Sequence, residues 1–262
     1  MITIVRAELF RLVRRRTAVI GGLSALAFAL VAAFAIFASA TRSGSRSMQV
    51  GTSLERLAAS GGGTEAFAVG ASFAALLAFV TAIAIFGGEF TTGTFRSWTL
   101  RDPHRIRVIV GKFVGLLGVL AGILVVAEAL TFGASLLAAR WQDVPTSAWF
   151  SGDALRHAAQ DLGTVFAGLF GWMVFGAVLA VVLRSVPVAL AVGVAWSGPF
   201  ENITVDSWTT GYRVFPGQVL RSVINGGTAE LGFGTAVVRS ALYVAVAVAV
   251  ALTVVHRRDI TS

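Results

Sequence analysis

Glu128 is the residue of this sequence whose setting most clearly suggests chemistry, because it lies alone among apolar residues. The surrounding run, Phe113–Ala139, contains no other charged side chain. If this run is one helix, Glu128 lies about 22 Å along the axis from its first residue. Ionisable groups at such a depth in a membrane are rare and usually face a bundle interior or a wet cavity. Glu128 is therefore either a polar point in a transport path or a partner in an interhelical hydrogen bond.

A second concentration of reactive side chains lies between two apolar runs. The stretch Gly87–Lys112 holds a glutamate, an aspartate, a histidine, four arginines and a lysine. The apolar run before it, Ala66–Gly87, carries no charge at all. A plain connection between two helices could be much shorter than this stretch. We therefore expect a polar element that leaves the apolar phase and faces water or a partner.

Signatures of catalysis and of metal binding are missing from the sequence. A phosphate-cradling G-x-x-x-x-G-K motif that ended at Gly111-Lys112 would need a glycine at position 106, which is Ile106. The three histidines are far apart, no H-E-x-x-H or G-x-S-x-G motif occurs, and no cysteine is present. The sequence predicts a chain that is not an enzyme, binds no metal and carries no cofactor of its own.

Long apolar helices are the elements that must position these residues. Of the 262 residues, 56% are hydrophobic and 13% are charged, whereas a soluble domain carries about 25% charged residues. A membrane-spanning helix needs roughly 20 mostly apolar residues. We therefore predict a single all-α transmembrane domain over residues 1–262. Its six helices are predicted at about 18–40, 66–87, 113–139, 162–183, 187–200 and 237–255. The fifth is short and is either a full or a partial span.

The distribution of arginine and lysine predicts the orientation, because cytoplasmic loops carry the excess of basic residues. With both termini inside, the inner segments hold the positive excess, and the outer segments are balanced in charge. Residues 88–112 are then cytoplasmic. The pattern of residues 2–16 predicts a basic amphipathic helix over 1–17 that lies on the membrane surface. Since the membrane accounts for the basic charge, nucleic acid is not a predicted partner.

Four glycines share one face of the third predicted span, at the spacing i, i+4, i+7 and i+11. Small residues let helix backbones approach closely within a membrane. We expect this glycine stripe to pack within one subunit, with a subunit interface as the alternative. The glycines of the fourth span are spaced less regularly. The stripe consists of Gly111, Gly115, Gly118 and Gly122.

Three features are predicted for the outer segments. Residues 41–65 are polar and contain three consecutive glycines, Gly61–Gly63, which is typical of a flexible connection. Trp141 and Trp149 are expected to anchor the chain at the outer membrane interface. Residues 215–224 predict a short interfacial helix next to the short fifth span.

The cytoplasmic stretch resembles a motif of the permeases of type-2 ATP-binding-cassette (ABC) exporters. That family has a Glu at the end of its second span, then a Gly-Thr, a Pro and an Arg, and a Gly-Lys before its third span. The sequence departs from the family at Arg101-Asp102, where small or polar residues are usual. The six-span layout and the basic amphipathic N-terminal helix extend the resemblance over the whole chain. The matching residues are Glu89, Gly93-Thr94, Pro103, Arg105 and Gly111-Lys112.

The resemblance implies a permease that docks a separate ATPase subunit, on which ATP and Mg are bound. A coupling helix between the second and third spans would sit in a groove of that ATPase. The residues assigned to this coupling are Glu89, Gly93, Thr94, Phe95, Trp98, Pro103 and Arg105.

The residue types of the coupling segment suit that role. Glu89 is expected to begin the coupling helix, where a carboxylate can cap free N–H groups. Phe95 and Trp98 are expected to be aromatic anchors of the interface, and Pro103 to end the helix. Arg105 can pair with acids of the ATPase or with lipid phosphates.

Export across a bacterial plasma membrane is the function that the resemblance implies, with a drug, an antibiotic or a lipid-like molecule as substrate. The chain would form the translocation path together with a second permease chain, identical or related, in contact with membrane lipids. The alternative is a membrane scaffold that transports nothing, or an integral membrane enzyme with an unrecognised site.

Overall fold

The computed structural model describes residues 15–40, 53–91 and 105–257, and the side chains of 26–40, 53–88, 110–111 and 113–254. Every regular element in this part of the chain is helical. A 3₁₀ turn covers Ser147–Phe150 and a π turn covers Trp196–Phe200. The helices are α1 (Arg15–Ser39), α2 (Leu54–Ala58), α3 (Glu65–Thr91), α4 (Arg105–Trp141), α5 (Gly152–Leu183), α6 (Val186–Ala195), α7 (Glu201–Ser207), α8 (Gly211–Val214), α9 (Pro216–Ile224) and α10 (Phe233–Arg257).

Four of the described helices are long and apolar enough to cross a membrane. These spans are Glu65–Gly88, Phe113–Trp141, Gly152–Leu183 and Phe233–Val254. The prediction of an all-helical chain with several membrane-spanning helices is confirmed at this level. Six crossings and cytoplasmic termini stay predictions.

The first and fifth predicted spans are less clear than these four. In α1 the described apolar part is Leu26–Ser39. Helix α6 has 10 residues, and the π turn that follows it contains Pro199. Proline donates no backbone hydrogen bond and crowds the preceding turn, so regular α-helical winding is interrupted there.

Several helices extend beyond the apolar runs that predicted them, since charged residues such as Glu and Arg also favour helix. Helix α3 continues to Thr91, and α4 begins already at Arg105. Glu89 therefore belongs to the last turn of α3, and the prediction that it begins the coupling helix is wrong. The coupling residues Gly93, Thr94, Phe95, Trp98 and Pro103 lie outside the described residues, as does the N-terminal amphipathic helix up to residue 14.

The described chain forms two compact units. The first unit comprises the described residues of Ser72–Val114 and Ala167–Ser262, and the second unit those of Arg6–Ala71 and Gly115–Phe166. Helices α3, α4 and α5 contribute residues to both units.

The first unit contains the short helix α9, which packs against α10. Val219 and Val223 of α9 are buried together with Leu231 and Ala236. The hydroxyl of Tyr243 in α10 donates a hydrogen bond of 2.6 Å to the carbonyl of Val214. The helix predicted over 215–224 is present, but it is buried on nearly every side.

The second unit has a core of aromatic and small residues around Trp149. Its indole N–H donates to the carbonyl of Leu57 at 2.9 Å, and its ring lies 6.3 Å from that of Phe37. Because Trp149 is only 3% exposed, it is not the interface anchor that the sequence predicted. Gly63 lies tightly against the rings of Phe132 and Trp149, so the triglycine is a packed turn and not a flexible connection.

Candidate functional site

Helix α4 presents a polar face within its apolar span. Glu128, Thr131 and Ser135 have the spacing i, i+3 and i+7, which places them on one side of a helix. The hydroxyl of Thr131 donates back to the carbonyl of Ala127, so it is satisfied within its own helix. Ser135 is fully buried.

Two polar atoms on this face are left without partners. The Oε1 atom of Glu128 and the Oγ atom of Ser135 are both buried and have no hydrogen-bond partner among the described residues. An unpaired polar group away from water costs about 1–3 kcal/mol. Such a cost is expected where a proton, a water molecule or a ligand completes the site.

Asp161 of α5 is the charged neighbour of Glu128, close enough for the two carboxyl groups to interact electrostatically. The hydroxyl of Thr64 donates to Asp161 Oδ2 at 2.7 Å. Arg56 and His157 are also near enough for their charges to act on Asp161. We call Glu128 and Asp161 the carboxylate pair.

An ion pair lies next to Thr64 at the start of α3. The guanidinium of Arg56 lies 3.2 Å from the carboxylate of Glu65. Polar groups thus continue from this loop through Thr64 and Asp161 to Glu128.

The carboxylate pair can hold a proton or a cation. Two like charges at close range in an apolar setting disfavour simultaneous ionisation. A proton or a cation that enters the site would therefore be stabilised by the carboxylate pair. No group of three or more metal-ligating side chains occurs in the described part of the chain.

Sequence reasoning found Glu128 but missed Asp161. The predicted fourth span begins at residue 162, which places Asp161 in an outer segment. In the structure α5 begins at Gly152 and carries Asp161 well inside it. The spacing of His157 and Asp161, one helical turn apart, was the signal that this polar face continues into the helix.

The glycine stripe of the third predicted span is only partly packed. Gly111 and Gly115 are buried, whereas Gly118 and Gly122 are exposed. A Cβ atom at Gly118 or Gly122 would meet no atom of the described chain within 4 Å. Packing against described residues is therefore not found at these two positions, and a subunit interface stays a prediction.

The less regular glycines of the fourth span are the closely packed ones. A Cβ atom at Gly168 would collide with Ile224, and one at Gly171 would collide with Leu220. These two glycines let α9 lie directly against α5. The glycine spacing alone did not indicate this, because the partner helix is short and distant in sequence.

Glu201 is a fully buried carboxylate that sequence reasoning did not single out. Its Oε1 accepts hydrogen bonds from Trp196 Nε1 at 2.8 Å and from the backbone N–H of Gly217 at 3.2 Å. Its Oε2 accepts one from the backbone N–H of Gln218 at 3.2 Å. These bonds satisfy two N–H groups in the first turn of α9, where a negative charge is also favoured by the helix dipole.

Two opposing effects act on the acidity of Glu201, which follows the fifth apolar run. Burial raises the pKa of its carboxyl group. The hydrogen bonds from Gly217, Trp196 and Gln218 lower that pKa and offset part of the rise. Because its bonds join the π turn to the first turn of α9, we interpret Glu201 as structural.

Two of the residues assigned to coupling, Glu89 and Arg105, lie in described helices. Arg105 is the first residue of α4 and Glu89 lies in the last turn of α3, and the other coupling residues fall outside the described ranges. The structure thus brings Glu128 together with Asp161 and Thr64, within the second unit. Comparisons with protein-family models, with curated proteins and with solved structures give no match to this chain.

Proposed function

We propose that this chain is the membrane-spanning permease of an ATP-driven exporter and that the carboxylate pair belongs to its translocation path. The observation that carries the proposal is that Glu128 Oε1 and Ser135 Oγ are buried without a partner among the described residues, in a helix apolar enough to span a membrane. Acids in such helices are costly and mark ion or substrate pathways by default.

The resemblance of residues 87–112 to the type-2 ABC permeases supports ATP hydrolysis as the energy source for export. In this proposal a separate ATPase binds ATP and Mg. The coupling segment transmits the movement of that ATPase to α3 and α4. Both helices carry residues of the polar cluster, Glu65 on α3 and Glu128 on α4. A second permease chain, identical or related, completes the exporter in a bacterial plasma membrane. The substrate class proposed is a drug, an antibiotic or a lipid-like molecule.

Partner capture tests the energy source. The tagged full chain is purified from its native host under mild conditions, and the proteins that accompany it are identified. We expect an ATPase with a P-loop, and Trp98→Ala should reduce its recovery, because aromatic anchors dominate interface energetics. An ATPase that is never recovered, together with ATP hydrolysis by the purified chain alone, would contradict the proposal.

Substitutions in the carboxylate pair test the path. Glu128→Gln and Asp161→Asn keep side-chain size but remove charge. Each should lower export of a cytotoxic substrate by about tenfold or more, because bonds to charged groups contribute roughly 1.5–3 kcal/mol. Asp153→Asn is the matched control, since Asp153 is exposed on the same helix as Asp161. Wild-type export by both variants, at normal protein levels, would show that the carboxylate pair is not part of the translocation path.

A further inference from the structure

The first unit contains a cavity of about 180 Å³ between α3, α5 and the segment from the π turn to α9. One wall is apolar and includes Trp172 and Ile224. The other wall is polar, and its side chains come from Ser72, Ser197, Asn202, Gln218 and Arg221.

Arg221 is the most informative member of this wall. It is the only exposed residue of α9, whose other residues are buried or half-buried. Its guanidinium makes no hydrogen bond or ion pair with any described residue. A cation therefore lies at the edge of the cavity without a counter-ion among the residues that the structure describes.

The amide side chains behind Arg221 are held in place. Gln218 is only 6% exposed, and its Nε2 donates to Asn202 Oδ1 at 3.2 Å. The Nδ2 of Asn202 donates in turn to the carbonyl of Gly198 at 2.6 Å. This chain of bonds orients both amides and uses one of the two N–H groups of Gln218 Nε2, which leaves the other for a ligand.

Glu201 accepts hydrogen bonds from the backbone of Gly217 and Gln218, which belong to the same wall, and from Trp196. Among the described residues it forms no ion pair with Arg221. Its oxygens are thus already used by other donors.

We propose that this cavity binds a phosphate-type oxyanion, with the guanidinium of Arg221 and the free N–H of Gln218 as its donors. Arg is suited to such a group, because its planar fork donates two parallel hydrogen bonds to phosphate oxygens. The volume is below the roughly 300–1,000 Å³ of pockets for drug-sized ligands. It therefore fits a headgroup, whose first carbon atoms would lie on Trp172 and Ile224. This inference does not depend on the proposed export function.

Titration of the purified full chain in nonionic detergent tests the proposal. Dodecyl phosphate and inorganic phosphate are the probes, and calorimetry gives their dissociation constants. We expect Arg221→Gln to weaken dodecyl phosphate binding by about tenfold or more, as for loss of a charge-assisted bond. Arg140→Gln is the control, because Arg140 is also exposed but does not line the cavity, and its binding should match wild type.

A second variant separates the cavity from general charge effects. Ser72→Phe should fill the cavity without changing the charge and should therefore also abolish binding. Because Ser72 is exposed, we expect the chain to fold with this larger side chain. Inorganic phosphate that binds as tightly as dodecyl phosphate would support the oxyanion site and identify free phosphate as its ligand. Weaker inorganic phosphate would identify an amphiphile headgroup. Equal binding of uncharged dodecanol, or unchanged dodecyl phosphate affinity in Arg221→Gln, would overturn the proposal.

Discussion

Glu201 is fully buried and Glu128 has one buried oxygen, but the two carboxyl groups have different surroundings. Glu201 accepts three hydrogen bonds from neighbours in the first unit. Glu128 has an oxygen that is buried without a partner among the described residues. A carboxylate whose bonds are complete holds its surroundings in place. One whose bonds are incomplete is open to a proton or a ligand.

Removing the Glu201 side chain tests whether its hydrogen bonds stabilise the fold. Glu201→Ala should leave the N–H groups of Gly217 and Gln218 unsatisfied and lower the free energy of unfolding by about 2 kcal/mol or more. Thermal denaturation in detergent measures the change. Asp206→Ala, an exposed acid on the same short helix, should have almost no effect. Equal melting temperatures for both variants would show that the three bonds contribute nothing.

Single functional or structural residues differ in how well they can be predicted from the sequence. Glu128 could be predicted because one charge in a long apolar run is visible without a structure. Glu201 could not, because it follows the end of a short run and resembles any surface acid. Its donors, Trp196 and the start of α9, are separated in sequence by α7 and α8.

At the scale of helices, close packing depends on where a partner lies and not on how regular a glycine pattern is. Gly168 and Gly171 face Ile224 and Leu220 of α9, whereas the regular stripe is open at Gly118 and Gly122. The apolar content of the helices was therefore predictable. Their contacts depend on short helices that carry almost no periodic signal.

Leucine at these four glycines should separate the two kinds of position. Gly168→Leu and Gly171→Leu should each destabilise the chain by about 1–3 kcal/mol, because the added atoms overlap α9. Gly118→Leu and Gly122→Leu should leave the melting temperature of the monomer unchanged. Thermal unfolding in detergent and the oligomeric state by light scattering provide both readouts. A loss of dimer confined to Gly118→Leu and Gly122→Leu would assign the open stripe to a subunit interface.

At the scale of the whole molecule, the helical class and four spans follow from the lengths of the apolar runs. The total number of crossings depends on the fifth run, because α6 has 10 residues and a π turn follows it. With six crossings, the connections before and after this run lie on opposite sides of the membrane. With five, they lie on the same side.

The absence of cysteine makes this question directly testable, since single cysteines can be placed without a background signal. Ser151→Cys and Asp206→Cys should react with a membrane-impermeant maleimide in intact cells. Thr94→Cys and Thr261→Cys should react only after permeabilisation. If Asp206→Cys is protected in the same way as Thr94→Cys, the fifth run does not cross and the six-span topology is wrong.

The π turn at Trp196–Phe200 also determines the direction in which the side chains of the following helix point. Successive residues of an α-helix differ by about 100° around the axis, so removal of the one extra residue in a π turn would rotate everything beyond it by about that angle. Glu201 is the first residue beyond the turn. In regular α winding its carboxylate would point away from α9, and Trp196 would no longer be beside it. The irregular winding is thus a geometric condition for the three hydrogen bonds, and the proline within it keeps the chain from returning to the regular form.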